Sequence, residues 1–241
     1  MARIKKKKYA RSFCLKLQAE SMIKRLEEKT QKKLTKYRMK LHKLTTKEIS
    51  GFIAPSDTKT DAFINGKYQR DGYSVGKYAI MGEGDYAIPI LLFVPNDNNK
   101  KHPALVYLHP LGKVTEAKPR GEIEKLVRKG YIVAAADVIG VGETKNTASR
   151  GHTSGYLAVS IGRSIIGIQA GDIIRVVNYL KNLNDIDPKK VGAIGMNELC
   201  IPLLHAAAFE PSINNVFSSI GYRLDFLLNL LAEFKIDTVD A

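Results

Sequence analysis

Three short runs of almost unbroken apolar residues, followed by a fourth strand candidate, constrain this chain more than any other feature. Ala104–Leu108, Tyr131–Val138, Val191–Ile194 and Asn215–Ile220 are separated by stretches long enough to hold helices. A strand that is apolar on every residue must be covered on both faces, and consecutive parallel strands need a helical crossover between them. The order therefore predicts an α/β fold with a mostly parallel sheet and helices on both sides. Ahead of these units, Tyr73–Ile80 alternates as a strand, Gly82-Glu83-Gly84-Asp85 reads as a turn, and Ala87–Val94 is a second, more apolar strand, so a hairpin precedes the crossovers.

The helices follow from spacing. Arg120–Lys129 is helical, and Ser164–Leu183 places Ile166, Ala170, Ile173, Val177 and Leu180 on one face before Asp185-Ile186-Asp187-Pro188 stops it. Ile201–Phe209 is a helix closed by Pro211, and Leu224–Phe234 reads as a final one. At 241 residues and 44% hydrophobic the chain has the material for one sizeable core. No run approaches the ~20 apolar residues of a spanning helix.

Net charge is +14, yet it is confined. Residues 1–50 carry 17 Lys and Arg against 4 Glu, so +13 belongs to an N-terminal appendage and +1 to residues 51–241. We divide the chain accordingly into a basic arm with an amphipathic helix, 1–50, and an α/β domain, 51–241. In the arm, Ile23, Leu26, Thr30, Leu34, Tyr37, Leu41 and Leu44 form a narrow stripe opposite lysines and arginines. Such an arm, residues 1–47, suits nucleic acid or an anionic surface. A helix laid on its own domain is the favoured reading, because no aromatic or Gly-Arg pattern accompanies the charge.

Cys14 and Cys200 are far apart and no histidines pair at a metal-binding interval, so a disulfide scaffold or a structural zinc site is not expected, and no cofactor is. Residues 1–17 are basic without an apolar stretch behind them, which predicts a cytoplasmic protein by default, or a secreted one if the true start lies upstream. Phosphate-binding fingerprints fail. Gly140-Val141-Gly142-Glu143-Thr144-Lys145 lacks the third glycine and reads as a strand-end loop, and no P-loop pattern exists.

The chemically informative stretch is Val191-Gly192-Ala193-Ile194-Gly195-Met196-Asn197-Glu198-Leu199-Cys200, a strand that runs through a glycine into a helix. In a nucleophile elbow that turn is so sharp that the central side chain stands exposed on strained backbone, with small neighbours allowing the close approach. Strand, Gly195 and helix are in place here, and the central residue is Asn197.

Together with AIPILLFVP and HPALVYLHPLGK around Tyr86–Gly112, GYIVAAADVIGVG at Gly130–Gly142, GRSIIGIQAGDIIRVVNYL within Gly162–Leu183, and Asp187–Pro211, this stretch resembles the α/β-hydrolase superfamily. The resemblance is greatest to the branch of acetyl xylan esterases and cephalosporin-C deacetylases, and it fits Lys67–Tyr222 in order. It implies a serine carboxylic ester hydrolase ancestry, with small or carbohydrate acetyl esters as substrates. His109-Pro110-Leu111-Gly112 would be the loop that supplies one oxyanion donor, the Leu111 N–H, and the Glu198 N–H would be the second. His109, Gly112 and Gly195 would support this site.

Two departures follow. Asn197 occupies the nucleophile position, and Leu199 stands where the G-x-S-x-G pattern has its second glycine. The family's acid and histidine follow the nucleophile after later strands, whereas the twenty residues after Gly221 contain no histidine. The expectation is a protein without normal esterase turnover, its C-terminal sheet shortened. Two alternatives stay open: an active carboxylesterase whose nucleophile or missing strands lie elsewhere, and a binding scaffold that uses the basic arm.

Substitutes for the missing groups each have a plainer explanation. His205 reads as a packed helix residue, His109 as a shaper of the oxyanion loop, His152 as a loop residue, Cys200 as a buried thiol, and Asp137 with Glu143 as solvated loop charges. A sheet ending near Val216–Ile220 would leave an edge, which predicts a homodimer, a mask formed by Leu224–Phe234, or marginal stability.

Overall fold

The computed structural model describes residues 51–56, 61–97, 99, 101–145 and 153–219, together with Lys32, Lys33 and Lys36. Most of the basic arm, His152 and Leu224–Phe234 lie outside the described residues. The chain divides into two compact units, Met1–Thr45 and Thr46–Ala241. In the first, the three described lysines are helical and exposed. No helix among the described residues is long and apolar enough to cross a membrane.

Among the described residues the second unit has seven strands: β1 (Ala62–Arg70), β2 (Tyr73–Met81), β3 (Ala87–Pro95), β4 (His102–Leu108), β5 (Ile132–Ala136), β6 (Ile186–Met196) and β7 (Asn215–Ser219). Their spatial order is β1-β2-β3-β5-β4-β6-β7. β1, β2, β3 and β5 pair antiparallel in sequence, and β5, β4, β6 and β7 are parallel. Among the described residues β7 pairs with β6 and forms one end of the sheet. The helices are α1 (Glu122–Arg128), α2 (Thr153–Ser160), α3 (Ile165–Lys181) and α4 (Cys200–Phe209).

Period-two alternation sorts the core into two layers. Ala104, Val106 and Leu108 of β4 point with Ala134, Ala136 and Ala193 to the face covered by Ile173, Val176, Val177 and Leu180 of α3 and Leu203 of α4. Leu105 and Tyr107 point with Val133, Ala135 and Ile194 to the other face, where Ile123, Leu126 and Val127 of α1 pack.

Local chemistry sets the element ends. The Ser164 hydroxyl accepts the Gly167 N–H at 2.9 Å and caps α3. β6 begins earlier than its apolar run suggests. Its pairing with β4 slips between His102↔Ile186 and Ala104↔Val191, and the irregularity takes up Pro188, which has no N–H for the ladder. β1 is a strand the sequence pattern leaves unassigned. It is almost entirely exposed, pairs on one side only and slips register between Ile64 and Gly66, so burial never imposed an alternation on it.

One carboxylate lies inside the main core. Asp172 of α3 is fully buried; it accepts the Tyr86 hydroxyl at 2.6 Å and the Ile139 N–H at 3.0 Å, tying the hairpin and the segment after β5 to the helix. Burial pushes its pKa up to about 6 against these two hydrogen bonds and the nearby Arg175 charge. A carboxyl with a raised native pKa holds its proton more tightly when folded, so its contribution is largest below the ordinary value of 3.8 and fades as pH rises to about 6. We expect the thermal stability of Asp172→Asn relative to the parent chain to rise across that window and to level off above it. Melting curves of both proteins across these pH values check this; a constant difference is the contrary result.

Candidate functional site

The sheet order creates a crevice before any side chain is considered. From β4 the chain crosses to β5 on one side, and from β5 it returns to β6 on the other. The loops leaving β4 and β6 therefore diverge at the carboxyl edge of the sheet, where open α/β sheets bind ligands. Parallel pairing of Leu108 with Gly195 sets the two strand ends level. His109–Lys113 and Asn197–Leu199 consequently flank the same opening.

On the β6 side, the strand ends at Met196, a tight 3-10 turn spans Asn197–Leu199, and α4 starts at Cys200. Asn197 has φ +49°, one of only two positive values among the described non-glycine residues, and its side chain is exposed. Asparagine adopts left-handed backbone more readily than most residues, because its short amide can hydrogen-bond locally. Gly195 permits the reversal: a Cβ there would sit 3.0 Å from the Leu199 carbonyl oxygen and 3.2 Å from the Cys200 Cα. The Glu198 N–H lies in the first turn, where no preceding helical carbonyl is available to it. This is the shape of a nucleophile elbow, built around an amide.

On the β4 side, His109–Gly112 closes a turn in which the Gly112 N–H donates to the His109 carbonyl at 2.9 Å. Leu111 is exposed, and its N–H donates at 3.1 Å to His109 Nδ1. The amide expected to serve as an oxyanion donor is thus engaged by the neighbouring imidazole in this conformation. Burial pushes the His109 pKa down, opposed by the carboxylates of Glu116 and Glu198, so the ring favours its neutral form.

Beneath this loop lies an ion pair that corrects the reading of Asp137 as a solvated charge. Asp137 is 1% exposed. It accepts the Lys113 N–H at 2.6 Å, Lys113 Nζ at 2.9 Å and the Glu143 N–H at 3.0 Å. Lys113 is itself 4% exposed, and its Nζ also reaches Glu143 Oε1 at 2.6 Å, while the Glu143 carboxylate remains largely in water. The two loops meet so closely that a Cβ on Gly112 (φ +99°) would lie 2.8 Å from the Gly142 Cα, and one on Gly142 would strike the Asp137 carboxylate. Asp137 therefore clamps the β4 loop to the β5 loop. The apolar run it terminates was a usable signal, since a charge at the end of a buried strand requires a partner. That the partner is Lys113 was not readable.

The remaining candidates are structural in character. Cys200 is buried and its thiol donates to the Gly195 carbonyl at 3.1 Å, across the elbow's base. His205 packs edge-on against Phe52 and Phe209, and burial pushes its pKa down. A hollow of about 330 Å³ between α2 and the start of α3 is lined by Gly155, Tyr156, Val159, Ser164, Ile165 and Ile166, with no acid or base among them. Among the described residues no three His, Cys, Asp or Glu side chains gather as a metal site.

Lys113→Met leaves Asp137 buried without its cation and should cost about 3 kcal/mol, read from urea unfolding. A change within a few tenths would show that the backbone donors alone hold the carboxylate.

No family model matches the sequence, and no curated protein does. Solved structures do resemble the fold. A Bacteroides fragilis protein assigned as an acetyl xylan esterase superposes with TM-score 0.65 at 19% identity, over 77% of this chain and 53% of its own. A glucuronoyl esterase from Solibacter usitatus gives 0.58 at 17%, over 76% and 57%, and acetyl xylan esterase 1 from Thermoanaerobacterium gives 0.55 at 18%, over 73% and 61%. This chain thus spans between half and two thirds of the length of these three proteins. At such identities the likeness is one of fold: the chain carries the α/β-hydrolase fold in the form that acetyl xylan and glucuronoyl esterases share.

Proposed function

We propose that this protein uses an esterase-type crevice to hold small acetyl esters or acetylated carbohydrates without turning them over as a serine esterase does. The observation that carries the reading is Asn197, exposed at φ +49° at the turn between β6 and α4. The backbone at this point has the shape that presents a nucleophile. A carboxamide nitrogen shares its lone pair with its own carbonyl and has no accessible anionic form near neutral pH, so even an adjacent base leaves it unable to attack an ester. The solved proteins that share this fold include acetyl xylan and glucuronoyl esterases, and this supports a carbohydrate ester as the ligand class.

Residual acceleration is still compatible with such a site. Donors that stabilise a developing oxyanion retain on the order of 10³-fold over water when the nucleophile and base are removed from a serine hydrolase. Water, and no side chain of the elbow, would then be the attacking group, and no acyl intermediate would form.

The test is hydrolysis of 4-nitrophenyl acetate by the folded full-length chain beside Asn197→Ala. The expected result is no saturable turnover in either protein, with any slow rate at most about 10³-fold over water and equal in both. Saturable turnover that the substitution abolishes would overturn the reading.

A further inference from the structure

The Leu111–His109 contact does more than occupy an amide. A ring nitrogen that accepts a hydrogen bond carries no proton, so the 3.1 Å bond from the Leu111 N–H to Nδ1 fixes which tautomer of the neutral imidazole is present. The proton must reside on Nε2. No described residue takes up this second nitrogen, while the side chain stays partly open at the carboxyl end of β4, beside the elbow.

The geometry points to the His109 Nε2–H, acting with the Glu198 N–H, as the donor pair for a neutral carbonyl oxygen such as that of an acetyl ester or an acetamide, in place of the Leu111 N–H. The inference rests on the crevice reading above and goes further by naming the donor and the ligand's charge. Three observations support it. The level ends of β4 and β6 put His109 and Glu198 on the two sides of one opening. Glu198 is close enough for its carboxylate to act on the His109 ring, as is Glu116. Burial opposes the imidazolium, so His109 offers a hydrogen-bond donor without a positive charge.

Charge then selects the ligand. Glu116 and Glu198 make the surroundings of His109 negative, so a carboxylate is repelled whereas a neutral carbonyl is not. The site differs in this respect from an amide-only oxyanion hole at a helix start, which favours anions. His109 acts here as a binding residue that would touch the ligand, and Leu111 as the positioning residue that holds its tautomer.

The experiment is nitrogen NMR of the full-length protein labelled at the histidine rings, with His109 assigned by comparison with His109→Gln, at a pH above the ordinary histidine range. The probes are N-methylacetamide, a neutral carbonyl that is not hydrolysed, and acetate ion. The expected spectrum shows protonated Nε2 and bare Nδ1. N-methylacetamide should shift His109 Nε2 and the Glu198 amide together, and acetate should bind at least about tenfold more weakly. A proton on Nδ1 overturns the inference by itself. Movement of the Glu198 amide without Nε2, or equal binding of acetate, also overturns it and leaves the crevice reading standing. No shift at either group under N-methylacetamide overturns the crevice reading and this inference with it.

Discussion

Parallel pairing of β4 with both β5 and β6 is the constraint on which the rest depends. Because one strand is shared, three loops leave the sheet at the same edge and at nearly the same level: His109–Lys113, the segment after Ala136, and Asn197–Leu199. Their mutual distances are set by hydrogen bonds of the ladder and not by the loops themselves, which is why short and irregular segments hold a defined geometry. Asp137 completes the arrangement. Its carboxylate binds two backbone N–H groups and one ammonium, so both loops it joins have lost the freedom to drift. An uncompensated charge in that position would cost several kcal/mol, and Lys113 with the two amides offsets it.

Elbow geometry and elbow chemistry are separable. The reversal between β6 and α4 needs no reactive side chain. It needs a small residue at Gly195, a residue tolerant of left-handed φ at position 197, and burial of Leu199, Cys200 and Leu203 behind the turn. Asparagine meets the backbone requirement and fails the electronic one. A turn of this shape keeps its exposed apex and the Glu198 N–H in its first turn, and those are features of ligand binding as much as of catalysis.

What could be read from the sequence follows from what burial dictates. β4, β5, β6, α3 and α4 were legible because each is covered on one or both faces and its residues had to be apolar at fixed intervals. The sharp turn between β6 and α4 was legible from Gly195 between an apolar strand and a helix. β1 was not, since an exposed edge strand is under no such demand. The bond between the Leu111 N–H and His109 Nδ1 was equally hidden, because spacing says nothing of how an imidazole turns inside a four-residue loop. The Lys113–Asp137 pair joins positions 24 residues apart through the geometry of two loops, and its sequence trace was one charge closing an apolar run.

On the proposed reading, the apex of this crevice carries no acyl-accepting nucleophile. Intact-mass measurement of the folded protein after exposure to a fluorophosphonate, followed by peptide mapping, tests it most directly. An unmodified mass is expected under conditions that label a serine esterase completely. A single stoichiometric adduct on any residue bordering His109–Lys113 or Asn197–Cys200 would contradict it.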